Sequence, residues 1–270
     1  VHNRRGTTIR FRPDEQIFAS HVFSPSRLYR LCRSKAYLFR GVEIRWSCDP
    51  ALIKDDTPAQ AVLHFPGGLS DFLASAIEGR STVVPAPFAG DAEFPDGAGR
   101  CEWALTWLEQ GDGFLNSYAN TIPTPQGGTH EAGFRASLVK GLKAYGELKK
   151  EKRAGNLTAE DVFGSFAGML SAFVRNPQFQ GQTKDKLTSA EASRLVENAV
   201  RDHFDHWLAG DPTNADNLLA FAIERAEERI RRREQKDTPR KSATRKLRLP
   251  GKLADCSRES AEGTELFLVE

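Results

Sequence analysis

Residues 120–135 read Asn-Thr-Ile-Pro-Thr-Pro-Gln-Gly-Gly-Thr-His-Glu-Ala-Gly-Phe-Arg, and this stretch decides how the centre of the chain folds. Its prolines and paired glycines end the apolar run before it, because proline and glycine interrupt regular structure. Thr129 is suited to cap a helix, and apolar residues then recur at helical spacing at Phe134, Leu138, Leu142 and Tyr145. The stretch therefore predicts a strand, a turn and an amphipathic helix.

Outward from this stretch the pattern alternates between strands and helices. Apolar and polar alternation predicts strands at 7–12, 42–47, 61–65, 101–107, 114–122 and 166–174. Helical spacing and capping residues predict helices at 25–37, from 129, near 158, after 188 and from 212. The order of these elements predicts a mixed α/β (α+β) fold.

Three local signals sharpen this prediction. Gly111-Asp112-Gly113 predicts a hairpin between the strands at 101–107 and 114–122, whereas the Pro- and Gly-rich residues 80–100 predict a linker or a long hairpin. Thr188-x-x-Glu191 has the form of a capping box. The helix after it is expected to bury Leu195, Ala199, Phe204 and Leu208.

The composition bounds the class of protein. A chain of 270 residues suggests two domains at roughly 150 residues each. Its 39% hydrophobic and 27% charged residues are typical of globular proteins and argue against disorder. No apolar run approaches the ~18 residues of a membrane span, and no secretion signal is visible. The four cysteines lie far apart in the sequence, which favours reduced thiols and a cytoplasmic location.

The charge is concentrated near the C-terminus. Residues 224–248 hold 11 Lys and Arg against 5 Asp and Glu, a local excess of +6, whereas the rest of the chain carries −4. A basic segment on a mildly acidic body indicates a polyanionic partner. A solvated helix face with compensating glutamates is the alternative.

Both ends of the sequence are strand-like. The chain begins at Val1, and residues 265–270 read as a buried strand with no turn after them. Because a sheet seldom ends on an unpaired edge, we expect this chain to be an internal fragment of a longer protein.

Three motifs, in order along the chain, carry a resemblance to a known family. They are residues 120–135, then Asn-Pro-Gln-Phe-Gln-Gly-Gln-Thr-Lys at 176–184, then Leu-Pro-Gly-Lys-Leu-Ala-Asp-Cys at 249–256 with Leu-Phe-Leu-Val-Glu at 266–270. Together they resemble the ATPase subunit of the bacterial type IIA DNA topoisomerases. The resemblance covers nearly the whole chain and is closer to the B subunit of topoisomerase IV than to that of gyrase.

The resemblance implies a domain order. Residues 1–66 correspond to the C-terminal part of a GHKL ATPase domain, and residues 67–240 to a transducer domain with a left-handed β-α-β crossover. Residues 241–270 correspond to a linker and the first strand of a TOPRIM domain. The crossover departs from the right-handed rule, and it is expected only from the resemblance.

The resemblance also implies a nucleotide site. Lys184, with Gln182, corresponds to a loop that reaches the γ-phosphate of ATP, and a lysine ammonium suits a terminal phosphate. Thr7 corresponds to a residue at the adenine end. Glu270 corresponds to the first TOPRIM glutamate, a catalytic group and Mg²⁺ ligand, although one carboxylate alone does not make a magnesium site. From the residues alone, Lys184 is a solvated loop lysine and Thr7 is a β-branched strand residue.

Double-stranded DNA is the expected polyanion. Basic side chains contact phosphates without reading sequence, and the candidates here are Arg135, Arg231, Arg232, Lys241, Arg245 and Lys246. The resemblance implies an ATP-hydrolysing isomerase in which two B subunits dimerise and join two breakage-reunion A subunits of topoisomerase IV as an A2B2 complex. Such an enzyme couples ATP turnover to duplex passage, relaxation and decatenation. We expect this piece alone to be inactive, because the family's ATP-activating residues and DNA-attacking tyrosine are not in it.

Three alternatives remain open. A gyrase B subunit shares the same fold and chemistry but introduces negative supercoils. A GHKL relative of the mismatch-repair kind shares the ATPase and transducer pair but not the run from residue 249 onwards. A non-catalytic DNA-binding protein would use only the basic helix.

Overall fold

The computed structural model describes residues 6–18 and 22–242, with side chains described as far as residue 234. Its contacts divide the chain into two compact units, 1–223 and 224–270. The predicted terminal strand at 265–270 lies outside the described residues.

The first unit begins with a helix and a two-stranded hairpin. Helix α1 (Pro25–Leu38) starts where the Ser24 hydroxyl accepts a hydrogen bond from the Arg27 N–H, with Pro25 in the first turn. Strands β1 (Glu43–Ser47) and β2 (Gln60–His64) pair antiparallel. These elements agree with the predicted helix at 25–37 and strands at 42–47 and 61–65.

The predicted strand at 7–12 is wrong in this structure. Residues 6–14 are irregular, and Ile9 and Phe11 are 81% and 73% exposed. A strand is held by hydrogen bonds to a neighbour, and the described part of the chain places no strand beside this segment. Ile9 and Phe11 favour strands by their residue type, but they have no neighbouring strand among the described residues.

A five-stranded sheet forms the centre of this unit, in the order β3-β4-β7-β5-β6. Its central strand β7 lies antiparallel to β4 and parallel to β5, and it is buried along nearly its whole length. The strands are β3 (Phe88–Glu93), β4 (Gly99–Trp107), β5 (Phe114–Ala119), β6 (Ile122–Pro123) and β7 (Phe166–Val174).

The hairpin predicted at Gly111-Asp112-Gly113 is wrong, although the flanking strands exist. β4 and β5 do not pair, because β7 lies between them and bonds to both. β7 is apolar enough to occupy the sheet centre, which a local turn signal cannot reveal. Residues 80–100 do contain half of a long hairpin, since β3 pairs with β4.

The parallel strands β5 and β7 are joined through α3 (Thr129–Leu148) and α4 (Ala159–Phe163). This connection confirms the mixed α/β class, and the hand of the crossover stays a prediction. α4 begins with a capping box in which Asp161 accepts from the Thr158 N–H at 2.8 Å. The predicted helix start near 158 is therefore confirmed.

Helix α5 (Ala190–Gly210) packs closely along α3. At Gly133 of α3 an added Cβ would lie 2.0 Å from the Ser193 carbonyl oxygen, so only glycine permits this approach. The predicted buried stripe of α5 is partly wrong, because Leu195 and Ala199 are only half-buried. Its buried residues are Ala192, Val196, Val200, Phe204 and Leu208.

The capping box predicted at Thr188 is also wrong. α5 follows Ser189, and the Thr188 hydroxyl donates instead to the Gln178 carbonyl at 3.1 Å. Ser189 Oγ accepts from the Gln178 N–H at 2.9 Å. These two residues therefore attach the start of α5 to a neighbouring loop rather than cap the helix.

The sheet has a hydrophobic core on each face. On the α3 and α5 face, rings interdigitate at centroid distances of about 5–6 Å, and the ring-bearing residues are Phe88, Trp103, Trp107, Phe204 and Trp207. On the other face lies helix α2 (Leu69–Ala76), which the sequence did not predict. Leu69 and Leu73 of α2 pack there with Tyr37 and Tyr118.

The last helix, α6 (Pro212–Ser242), starts at the predicted Asp211-Pro212. Within the first unit, Asp216 accepts hydrogen bonds from the Tyr145 hydroxyl at 2.8 Å and from Lys149 Nζ at 2.9 Å. Within the second unit, the helix continues from residue 224 and exposes arginines at 231–233.

Candidate functional site

The Gln-Thr-Lys motif forms the tip of a short hairpin. Strands β8 (Phe179–Gln180) and β9 (Lys186–Leu187) pair antiparallel, and residues 181–185 connect them. We call residues 179–187 the lysine hairpin. Gly181 and Lys184 both adopt left-handed backbone conformations, at φ 70° and 58°, which turn the chain sharply at the tip.

The side chains at this tip are open to solvent. Gln182, Thr183 and Lys184 are all exposed. Lys184 Nζ lies 5.8 Å from the centroid of the Phe179 ring, and no carboxylate of the described residues forms an ion pair with it. The ammonium is therefore available to an anion, which supports the interpretation of this motif as a phosphate contact.

The hairpin is fastened to a turn that we call the hairpin base, residues 124–128. The Gln126 N–H donates to the Asp185 carbonyl at 3.0 Å, and the Leu187 N–H donates to the Gly127 carbonyl at 3.2 Å. At Gly128, φ is 143° and an added Cβ would lie 2.4 Å from the Leu187 carbonyl oxygen. The glycine pair of the opening motif therefore lets the two segments touch backbone to backbone.

A buried polar cluster lies below the hairpin base. Ser117 Oγ is 2.8 Å from Thr124 Oγ1 and 3.1 Å from Glu131 Oε2, and Thr124 Oγ1 is 3.2 Å from His130 Nε2. We call these four residues the hydroxyl relay. It joins β5, the hairpin base and the first turn of α3.

His130 is completely buried within this relay. Burial lowers the pKa of its imidazole to about 4, against an opposing effect of the neighbouring Glu131 carboxylate, which favours the charged ring. The ring is therefore neutral at physiological pH. The sequence did not single out these residues as a site, although three of them lie inside the motif at 120–135.

Arg135 lies one turn further along α3. Its guanidinium forms an ion pair with Glu131 at 2.8 Å and lies 4.5 Å from the centroid of Phe163. The side chain is 36% exposed. Arg135 is therefore held in place and partly neutralised, and its contact with DNA stays a prediction.

The other predicted site residues are each described by themselves. Thr7 is exposed in the irregular segment 6–14, with no hydrogen bond to the described residues. On α6, Arg231 and Arg232 are exposed, and Arg232 is 3.5 Å from Glu228. The side chain of Lys241 is not described, and Arg245, Lys246 and Glu270 lie outside the described residues.

The described residues offer neither a metal-ligand cluster nor a membrane-spanning helix. They contain no group of three or more His, Cys, Asp or Glu side chains placed to hold a metal ion. None of their helices is long and apolar enough to cross a membrane.

Comparison with known proteins gives consistent matches. The sequence model of DNA gyrase B matches residues 68–238. The B subunit of DNA topoisomerase 4 from Caulobacter vibrioides is 57% identical over 272 residues, covering 99% of this chain and 39% of that protein. Its counterpart from Bartonella bacilliformis is 54% identical over 273 residues, covering 100% and 39%. The chain thus spans about two-fifths of the length of these relatives.

A solved structure agrees with these sequence matches. The topoisomerase IV ATP-binding domain of Francisella tularensis, in complex with a small-molecule inhibitor, is 29% identical, with a TM-score of 0.66. The match covers 81% of this chain and 57% of that one. The resemblance read from the three motifs is therefore confirmed at the level of both sequence and fold.

Proposed function

We propose, from the premise that this chain belongs to the DNA gyrase B family, that it transmits the ATP state of a type IIA topoisomerase to DNA passage. In this proposal residues 1–66 end a GHKL ATPase domain and residues 67–240 form a transducer. Residues 241–270 form a linker and enter a TOPRIM domain. Two relatives, both B subunits of DNA topoisomerase 4, support the topoisomerase IV assignment over nearly the whole chain.

The single observation that carries this function is the lysine hairpin. Lys184 is presented at an exposed tip without a carboxylate partner among the described residues, whereas the hairpin base beneath it is fixed by backbone hydrogen bonds. A cation held this way suits the γ-phosphate of ATP, and Gln182 adds an amide donor beside it. Thr7 is proposed at the adenine end, where a hydroxyl both donates and accepts.

Contact with the terminal phosphate would make the hairpin a sensor. A ligand shifts a conformational equilibrium only by its differential affinity for the two states. A lysine that bonds the γ-phosphate favours one arrangement while that phosphate is present, and hydrolysis removes the preference. Thr188 and Ser189, at the start of α5, bond to Gln178 directly before the hairpin. In this proposal a movement of the hairpin is therefore passed on to α5.

The proposed cofactors are ATP and Mg²⁺. The exposed cation at Lys184 fits a nucleotide phosphate, and Mg²⁺ supplies charge neutralisation on the phosphates when it is bound. The described residues provide no metal-binding group, so the proposed magnesium and catalytic role of Glu270 rests on the family resemblance alone. The acidic partners that complete such a site are not among the described residues.

Duplex DNA and partner subunits complete the proposal. Arg135, Arg231, Arg232, Lys241, Arg245 and Lys246 are the proposed phosphate contacts, which give affinity without sequence reading. The assembly proposed is a cytoplasmic A2B2 complex of two B subunits with two breakage-reunion subunits. Its activity would be ATP-dependent relaxation and decatenation.

The decisive experiment replaces the lysine in the intact protein. Lys184→Ala should lower ATP turnover by about 100-fold, because removal of one preorganised donor from a developing charge costs that order. Lys186→Ala is the matched control, since Lys186 is an exposed lysine in the same hairpin, and its turnover should stay normal. Unchanged turnover in Lys184→Ala would refute the phosphate role.

A gyrase B subunit is the second candidate, because the matching family is described as DNA gyrase B. The two candidates differ in the reaction of the complete enzyme. A complex with the partner subunit that introduces negative supercoils would favour gyrase. One that only relaxes and decatenates would favour topoisomerase IV.

A further inference from the structure

We propose that Ser117, Thr124 and His130 are positioning residues that hold the lysine hairpin in its phosphate-facing place. This inference rests on the role proposed above for Lys184. It adds that the lysine acts only because a buried chain of hydrogen bonds fixes the hairpin base beneath it.

The direction of each hydrogen bond in the hydroxyl relay follows from chemistry. A carboxylate and a carbonyl oxygen only accept, so the Ser117 hydroxyl donates to Glu131 Oε2 or to the Thr124 carbonyl oxygen, each 3.1 Å away. Ser117 has then used its one proton, and Thr124 must donate to Ser117 Oγ at 2.8 Å. The bond at 3.2 Å between Thr124 and His130 is then donated by His130 Nε2–H. With either acceptor for the Ser117 proton, Thr124 donates to Ser117 and accepts from His130.

Both ends of the relay are fixed. At one end, Glu131 Oε1 accepts from Arg135, which orients the carboxylate. At the other end, the His130 ring is fully buried and its Nδ1 atom has no hydrogen-bond partner among the described residues. A neutral ring with its proton on Nε2 leaves Nδ1 as a bare acceptor, which is the less costly nitrogen to leave unpaired.

The relay reaches the lysine through the main chain. The side chain of Thr124 belongs to the relay, and the Thr124 carbonyl oxygen accepts a hydrogen bond from the Gly127 N–H at 2.8 Å. Gln126 and Gly127 then bond directly to Asp185 and Leu187 on the returning side of the tip. Loss of the Thr124 hydroxyl loosens the turn that supports the hairpin. A small displacement of the lysine that binds the phosphate then lowers the rate of ATP turnover.

Hydrogen exchange in the intact protein tests this positioning without any nucleotide. Thr124→Val keeps the shape and removes the hydroxyl, whereas Thr124→Ser keeps the hydroxyl and removes a methyl group. Thr124→Val should speed exchange of the Leu187 amide at least about tenfold, because local opening becomes easier, and Thr124→Ser should restore slow exchange. Equal rates in the wild type and Thr124→Val would overturn the proposal, whatever Lys184 does.

A double-mutant cycle tests the link to ATP. Thr124→Val should reduce the kcat of ATP turnover at least about tenfold with little change in KM, since the misplaced group acts on the terminal phosphate. In a Lys184→Ala background the same change should have no further effect. An equal loss in both backgrounds would overturn the inference, because the relay would then act independently of the lysine.

The two failures are distinguishable. If Lys184→Ala keeps normal turnover, the proposed function fails while the exchange experiment still reports on the relay. If Thr124→Val does not fold, Ser117→Ala provides the second variant. It breaks the relay at β5, and it should give the same fast exchange at Leu187 and the same non-additivity with Lys184→Ala. Additive losses or unchanged exchange in Ser117→Ala would contradict the proposal.

Discussion

The tip of the lysine hairpin and the base beneath it are built in opposite ways. The tip exposes Gln182 and Lys184 and leaves the ammonium without a described carboxylate partner. The base and the hydroxyl relay below it bury Thr124 and His130, and the Thr124 hydroxyl bonds to both Ser117 and His130. From this contrast we infer that the tip contacts the ligand and that the base fixes the position of the tip.

Glycine substitutions at the two places should show the largest difference. Gly128→Ala should lower the free energy of unfolding by at least about 3 kcal/mol, because φ of 143° is open almost only to glycine and the new Cβ meets Leu187. Gly181→Ala should cost only about 1 kcal/mol, since φ is 70° and no atom lies within 4 Å. Urea unfolding followed by tryptophan fluorescence measures both, and equal losses would contradict the contrast.

Acid should weaken the hydroxyl relay, because His130 is buried within it. The pKa of the buried His130 is about 4, whereas an unfolded histidine titrates near 6.5, at roughly the reference value. The unfolded chain therefore takes up a proton first as the pH falls. The stabilisation is complete above about pH 6.5 and is lost towards pH 4, by at most about 3 kcal/mol.

Denaturant unfolding at a series of pH values measures this loss, with His130→Gln as the control that lacks the titrating ring. The difference between the wild type and the variant should shrink between pH 6.5 and 4 and stay constant above that range. Parallel curves across the whole range would show that His130 does not titrate as a buried neutral ring.

The two cations should differ in their contribution to folding. Arg135→Ala removes the ion pair with Glu131 and the contact with Phe163, and we expect a loss of about 1 kcal/mol for a partly buried pair of this kind. Thermal unfolding at low and high salt measures it, and high salt should reduce the difference. A salt-independent loss would point to packing rather than charge.

Lys184→Ala should have the smallest effect on folding. Because Lys184 has no ion-pair partner among the described residues, the change in the free energy of unfolding should stay within about 0.5 kcal/mol. The same thermal scan measures it beside Arg135→Ala. A large loss would show that Lys184 is a structural residue, and the interpretation of the tip as a ligand contact would fail.

Much of the fold follows from the sequence because its signals are local. The proline and glycine pattern at 120–135 located the start of α3, and the apolar run at 166–174 gave β7 with its observed bounds. The pairing of strands depends on residues that are distant in the sequence. Nothing in Gly111-Asp112-Gly113 reveals that β7 separates β4 from β5.

The site divides in the same way. Lys184 and Gln182 could be singled out because a motif with family resemblance contains them, and their place at an exposed tip agrees with that interpretation. Ser117 could not, because it lies within β5 between Asn116 and Tyr118 and meets Thr124 only through the fold. A serine in a strand carries no sequence signal of its own.

The most direct test of the account is a structure of the intact protein with a non-hydrolysable ATP analogue. We predict that Lys184 Nζ lies within hydrogen-bond distance of a γ-phosphate oxygen, about 2.7–3.2 Å. The Leu187 to Gly127 bond should be retained in that structure. A Lys184 side chain that points into solvent, away from a well-ordered triphosphate, would contradict the proposed coupling.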